Sequence, residues 1–198
     1  RVMGPDTPQR PLKILFLPDK SGEIIFDLRF IRVLVRLGHK VILAMKEGYS
    51  LDNPVFWDAE HDPSLEAGLG DALFVENSRI SKNDLLRTQR ENPLLVISDG
   101  TRERLNLWRT SVTFARSWKE ADLIIAKGYP NHRRLIQNSH LFTRDVICLY
   151  RDDDGVEHVC HKEKSPRVTK ITESQIVGQA DFVIARMRAA RGMGKQVM

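Results

Sequence analysis

Apolar residues fall along this chain in short continuous runs, separated by stretches in which they recur every three or four positions. The first pattern is that of strands buried on both faces and the second that of amphipathic helices, so their alternation predicts strand–helix–strand units around a parallel sheet. Leu12 to Leu17, broken only by Lys13, stops at Pro18-Asp19; Ile25, Leu28, Ile31, Leu34 and Val35 then place a helix over Gly22 to Leu37, with Gly38 as its stop. Lys40 to Met45 is a second strand, reached by a right-handed crossover. Pro54 opens a helix expected to continue from Val55 to Leu69, with Asp58, Glu60, His61 and Asp62 as its polar side. Asp71 to Val75 reads as a third strand, Ser81 to Arg90 as a helix capped by Ser81, and Pro93 to Ile97 as a fourth strand. Leu105 to Lys119 is helical by period and Ala121 to Ala126 is a fifth strand. Arg144 to Tyr150, the turn Asp152-Asp153-Asp154-Gly155 and Val156 to His161 form a hairpin, and Thr172 to Arg191 carries the stripe of a C-terminal amphipathic helix. The predicted fold is therefore α/β and three-layered, a doubly wound, mostly parallel sheet closed by a β-hairpin and a helix.

The 198 residues suffice for one domain with a full core, here residues 12–198. Residues 1–11, with three prolines, read as a linker from an upstream segment. A composition of 41% hydrophobic and 29% charged residues is that of a soluble globular domain, with no membrane span or signal-like segment, and the expected location is cytoplasmic. The net charge of +5 is scattered, apart from Arg133-Arg134 and the stretch from Lys162, which reads as a solvated basic face; no nucleic-acid partner is expected. Cys148 and Cys160 lie in no ligand spacing and are expected reduced, although a hairpin brings them close. His158 and His161 flank Cys160, yet strand alternation sends 158 and 160 to one face and 161 to the other, so no zinc site is expected there.

The chemistry gathers where parallel strands end. The first strand ends in Asp19-Lys20 with Gly22 and Glu23 entering a helix, the second in Asp52-Asn53, the fourth in Ser98-Asp99-Gly100, and the fifth in Lys127-Gly128-Tyr129-Pro130-Asn131. Ligands of open α/β sheets bind above such carboxyl ends, where helix N-termini also favour anions. A hard divalent cation needs one or two carboxylates plus neutral oxygens, which Asp19, Asp52 and Asn53 supply on paper; a phosphate bridging it needs an opposed positive charge, which Lys127 supplies. No serine-hydrolase elbow, P-loop or dinucleotide fingerprint is present.

Asp19-Lys20-Ser21-Gly22-Glu23 with Phe26-Asp27 resembles the D-N-x-G-E…D element of the metal-dependent damage-control phosphatases, the domain of unknown function eighty-nine family. Asp52-Asn53-Pro54-Val55 with Asp58-Ala59 is similar to the family's N-D-V-T…D-A element, Ser98-Asp99-Gly100 to its S-N/S-G loop, and Ala121 to Asn131 to its A-D-L-V-I-x-K-G-x-x-N element. The resemblance covers about residues 12–138 and implies a phosphomonoesterase using Mn, Co, Ni or Mg on small phosphorylated or damaged metabolites, including sugar phosphates. It also implies an upstream helical segment as an intramolecular partner. Two departures stand out: the family's Asp-Asn pair is Asp19-Lys20 here, and its Asn-Asp pair is Asp52-Asn53.

Carried over, the resemblance makes Asp19 and Lys127 catalytic. It gives Asp19, Asp52 and Asn53 to the metal, and Lys20, Gly22, Glu23, Ser98, Asp99, Gly100, Lys127 and Asn131 to the phosphate. A second reading is a non-catalytic member in which Lys20 replaces the metal's charge and the crevice binds a phosphorylated ligand or a protein partner. A third is an unrelated doubly wound domain handling a sugar nucleotide or methyl donor.

Overall fold

The computed structural model describes residues 11–50, 52–169, 173 and 177. The expected linker up to residue 10, the expected C-terminal helix apart from residues 173 and 177, and the side chain of Asp58 lie outside them. The elements are β1 (Lys13–Leu17), α1 (Ile24–Arg36), β2 (Lys40–Met45), α2 (Phe56–His61), α3 (Pro63–Leu69), β3 (Leu73–Val75), α4 (Lys82–Glu91), β4 (Leu94–Ser98), α5 (Val112–Glu120), β5 (Leu123–Lys127), β6 (Asp145–Arg151) and β7 (Glu157–Lys162). One sheet has the order β3-β4-β2-β1-β5-β6-β7, parallel throughout except for β7, which returns antiparallel on β6.

The apolar runs are continuous because both faces of the sheet are covered. Leu15, Leu17, Ile42 and Ala44 pack with Phe114 and Trp118 of α5 on one face. Ile14, Phe16, Val41 and Leu43 pack with Leu28 and Leu34 of α1 and Leu65 of α3 on the other. The layers are therefore helix, sheet and helix, as the sequence pattern predicts.

Two expected helices are shorter than their periodicity. The stretch from Val55 to Leu69 breaks at Asp62, whose extended backbone (ψ 110) precedes Pro63 and whose side chain accepts from the Ser64 N–H. A residue before proline is pushed out of the helical region, so one helix becomes two. The stretch from Leu105 begins instead as a short 3-10 turn, Leu107–Arg109, and α5 starts only after Ser111, whose hydroxyl accepts from Phe114 N–H at 3.0 Å. Ser81 caps α4 as expected, accepting from Asp84 N–H at 3.1 Å.

Candidate functional site

The strand order reverses beside β1. From β1 the chain proceeds over one face to β2, whereas from β5 it proceeds over the other face to β6. The loops after β1 and β5 therefore part, and a crevice opens between them. It is a cavity of about 810 Å³, and Asp19, Lys20, Glu23, Asp52, Asn53, Asp99, Lys127 and Asn131 all line it. Gly22, Ser98 and Gly100 do not.

Asp19 is 9% exposed, and among the described residues nothing donates a hydrogen bond to its carboxylate. Burial raises its pKa to about 6, with Glu23 and Asp52 adding repulsion and Lys20 and Lys127 opposing them. Its carboxylate lies against Gly128, where a Cβ would stand 2.1 Å from the Asp19 carboxyl carbon. Gly128 also has φ 86 and ψ 151, a conformation essentially restricted to glycine. Gly128→Ala is therefore expected to destabilise the protein by about 1–3 kcal/mol and to displace the Asp19 carboxylate. Urea unfolding, together with Mn²⁺ titration followed by electron paramagnetic resonance, checks both effects.

The loop after β2 is tied to the loop after β1 through the backbone. Asn53 Nδ2 donates to the Asp19 carbonyl, and the Asp52 carbonyl accepts from Ser21 N–H at 2.6 Å and Ser21 Oγ at 2.9 Å. The Asp52 side chain is left exposed at the cavity wall.

Lys127 points toward α1, in step with Leu123 and Ile125 of the same strand face. Its ammonium lies 2.8 Å from Glu23 and 2.7 Å from Asp27. Burial pulls its pKa down, but the hydrogen bonds to Asp27 and Glu23 prevail and hold it above the ordinary lysine value. The Asp27 pKa is itself raised, chiefly by burial, and its Oδ2 is buried with no hydrogen-bond partner among the described residues. Lys127 thus spends two of its three donors within the protein.

The loop after β4 departs from expectation. Its amides do not face an anion: Asp99 N–H donates to the Met45 carbonyl at 2.7 Å, and Gly100 N–H donates to Ser98 Oγ at 3.0 Å. Ser98 Oγ in turn donates to Glu47. The Asp99 carboxylate is buried against Lys46 Nζ at 2.7 Å, and it accepts from Thr101 N–H at 2.8 Å. A carboxylate that short of solvent is tolerated because these donors replace its water. The loop braces the ends of β2 and β4 instead of offering itself to phosphate. Asn131 is likewise occupied, donating from Nδ2 to the Lys127 carbonyl at 2.7 Å.

Sequence reasoning passed over Lys46, although it follows a strand end just as Lys127 does. It also passed over the far wall of the cavity. Tyr129, Tyr150, His158, Asp152 and Asp153 all line it. Tyr150 and His158 stack at 4.6 Å and 14°, and His158 Nε2 lies 2.7 Å from Asp152 Oδ2. The triple-aspartate stretch is a hairpin turn, as expected, with Gly155 N–H donating to the Asp152 carbonyl at 3.0 Å. His161 leaves on the opposite face to pair with Asp145 at 2.8 Å. Cys148 and Cys160 are register partners across the hairpin and both are free thiols.

At the Asp19 end, four carboxylates (Asp19, Glu23, Asp27 and Asp52) meet two ammonium groups (Lys20 and Lys127). Asp27 does not line the cavity, so the lining at this end sets three carboxylates against two ammonium groups, a net negative wall that favours a cation. Among the described residues no three His, Cys, Asp or Glu side chains converge as a ready cluster. A hard, oxygen-liganded divalent cation needs no such cluster, since it accepts neutral oxygens and water beside one or two carboxylates. The Asp19 carboxylate, buried and served by no donor among the described residues, is the oxygen ligand such an ion would meet first.

Residues 6–151 match the family model described as the damage-control phosphatase ARMT1-like domain. No curated protein matches. A crystal structure of a DUF89 family protein from Pyrococcus horikoshii is similar over 74% of this chain, at 26% sequence identity and a TM-score of 0.52. This chain spans 42% of that protein's length. Among the described residues no helix is long and apolar enough to cross a membrane. A doubly wound sheet whose switch-point crevice unites Asp19, Glu23 and Lys127, together with a family match over most of the chain, leads to one assignment: the chain belongs to the ARMT1-like damage-control phosphatase family.

Proposed function

We propose that this chain is a metal-dependent phosphomonoesterase acting on small phosphorylated metabolites, sugar phosphates among them, in the cytoplasm. The observation that carries the reading is Asp19: a buried carboxylate that no donor among the described residues serves, in a crevice whose lining at that end is net negative. Asp19 and Asp52 supply anionic oxygens to a divalent cation of the Mn, Co, Ni or Mg type. Asn53, whose nitrogen is spent on the Asp19 carbonyl, supplies a neutral one. When bound, such a cation supplies Lewis acidity and charge neutralisation at phosphorus. Lys127 turns its remaining donor to the phosphate, and Glu23 and Asp27 fix the direction of that donor. The Tyr129, Tyr150 and His158 rings face the organic remainder of the substrate. Turnover of p-nitrophenyl phosphate with each divalent metal, before and after chelation, tests the proposal. Metal-restored hydrolysis supports it, and hydrolysis indifferent to chelation contradicts it.

A second reading is favoured by one observation: the Asp99 and Gly100 amides and most of the Lys127 donors are already engaged. In a non-catalytic member the crevice would bind a phosphorylated ligand or a protein partner, and the same assay would show no hydrolysis with any metal.

The Asp19 environment also sets a pH dependence in chelated protein. Its folded pKa, about 6, lies above the ordinary 3.8, so the unfolded chain releases this proton first as pH rises. Ionisation of Asp19 therefore costs stability progressively from pH 3.8 to about 6 and by a constant amount above. Asp19→Asn removes that cost. The melting-temperature advantage of the variant over wild type is expected to grow from pH 4 to pH 7 and then level off. An advantage independent of pH would contradict the assignment.

A further inference from the structure

The cations around the Asp19 end of the cavity are not equivalent. Lys46 is committed to Asp99 at 2.7 Å, and Lys127 to Glu23 and Asp27 at 2.8 and 2.7 Å. Lys20 is exposed and lines the same cavity, yet among the described residues its ammonium has no ion pair or hydrogen bond. It nevertheless acts on Asp19, whose proton affinity it lowers. Its backbone is held from both sides. The Lys20 carbonyl accepts from Glu23 N–H at 3.0 Å, the preceding carbonyl accepts from Asn53, and the following residue is bonded to Asp52. An uncommitted positive charge is thus anchored beside the carboxylates that would hold a cation.

Such a charge acts oppositely on the two ligands of the site. It repels a divalent ion approaching Asp19 and Asp52, and it attracts a phosphate approaching that ion. The Lys20 side chain is exposed and engaged by none of the described residues, so an arriving phosphate draws its ammonium onto itself and away from the cation, and the penalty on the cation falls. We propose that Lys20 couples the two ligands: the divalent cation binds weakly to the free protein and more tightly once phosphate has arrived, and by reciprocity the cation tightens phosphate. The coupling rests on the reading of this cavity as a metal and phosphate site, and it makes Lys20 a ligand-binding residue as well as a brake on the empty metal site.

The test is a titration of Mn²⁺, followed by electron paramagnetic resonance, into wild-type protein, Lys20→Met and Lys20→Arg, each with and without saturating inorganic phosphate. Phosphate affinity is measured separately by calorimetry on Mg²⁺-loaded protein. Without phosphate, Lys20→Met is expected to bind Mn²⁺ about threefold to tenfold more tightly than wild type, and to bind phosphate about tenfold more weakly. The gain in Mn²⁺ affinity on adding phosphate is expected to shrink in Lys20→Met and to persist in Lys20→Arg. Raising ionic strength narrows these differences. A misfolded variant loses both ligands, so opposite signs cannot arise that way. Mn²⁺ affinity in Lys20→Met equal to or weaker than wild type, or an unchanged effect of phosphate, overturns the coupling while leaving the phosphatase reading intact. Wild-type protein that binds no Mn²⁺ under either condition overturns the phosphatase reading itself, and the coupling with it.

Discussion

Asp19→Asn is expected to lower metal-dependent phosphatase activity by about 10²–10³-fold while raising the melting temperature of the chelated protein. The carboxamide has the shape of the carboxylate, so the packing against Gly128 survives. What changes is charge. The crevice loses one of the carboxylates that attract a cation, and the protein no longer holds a buried anion that burial penalises and that no donor among the described residues serves. Function and stability therefore move in opposite directions, as expected where a group is retained against the preference of the fold. kcat/KM for p-nitrophenyl phosphate, Mn²⁺ affinity and thermal melting in chelator measure the three effects. A variant that keeps wild-type Mn²⁺ affinity would remove Asp19 from the metal site.

Lys46→Met is expected to be the most destabilising single change around the cavity, costing about 3–5 kcal/mol in urea unfolding, because it strands the Asp99 carboxylate inside the protein. Asp99 is 3% exposed, and burial already raises its pKa against the opposing pull of Lys46. Asn at position 99 still accepts from Thr101 N–H and carries no charge to compensate. The double variant Lys46→Met/Asp99→Asn is therefore expected to recover most of the loss, which a double-mutant cycle resolves as a large coupling. A single-variant cost below about 1 kcal/mol would mean that water reaches Asp99 and that the pair is not the brace between β2 and β4. Activity is expected to suffer as well where loss of the Asp99 tether shifts residue 46, because its backbone holds the neighbouring loop. Lys46 N–H donates to the Pro54 carbonyl at 3.0 Å and its carbonyl accepts from Phe56 N–H at 2.9 Å, so the same residue sets the loop carrying Asp52 and Asn53.

The layered α/β architecture was legible because a parallel strand covered by helices on both faces must be apolar at every position, and such runs are visible without coordinates. KVILAM and DLIIA became β2 and β5 within one or two residues of the expected limits. Helix continuity was less legible: periodicity ran through Asp62-Pro63 and through Thr110-Ser111, where local backbone rules broke it. The convergence of Asp19, Lys127 and Asn53 was legible too, because loops at the carboxyl ends of parallel strands open on one edge of the sheet.

Which partner each of those side chains takes was decided only in three dimensions. Residue types placed Lys127, Asp99 and the 98–100 amides equally well on a phosphate, and nothing in their spacing reveals that Glu23 and Asp27 capture Lys127 or that Lys46 captures Asp99. Glu23 stands at the N-cap of α1 and Asp27 in its first turn, but their common target lies 104 and 100 residues away. The far wall, built from Tyr129, Tyr150 and His158, likewise joins a loop after β5 to both strands of the hairpin. The order of apolar and polar residues specifies secondary structure and sheet edge because those depend on local geometry and burial. The pairing of charges depends on the distances left after packing, and only the folded chain, with Lys127 holding two donors on Glu23 and Asp27 and Lys20 engaged by none of the described residues, determined how much of each charge remains available to a ligand.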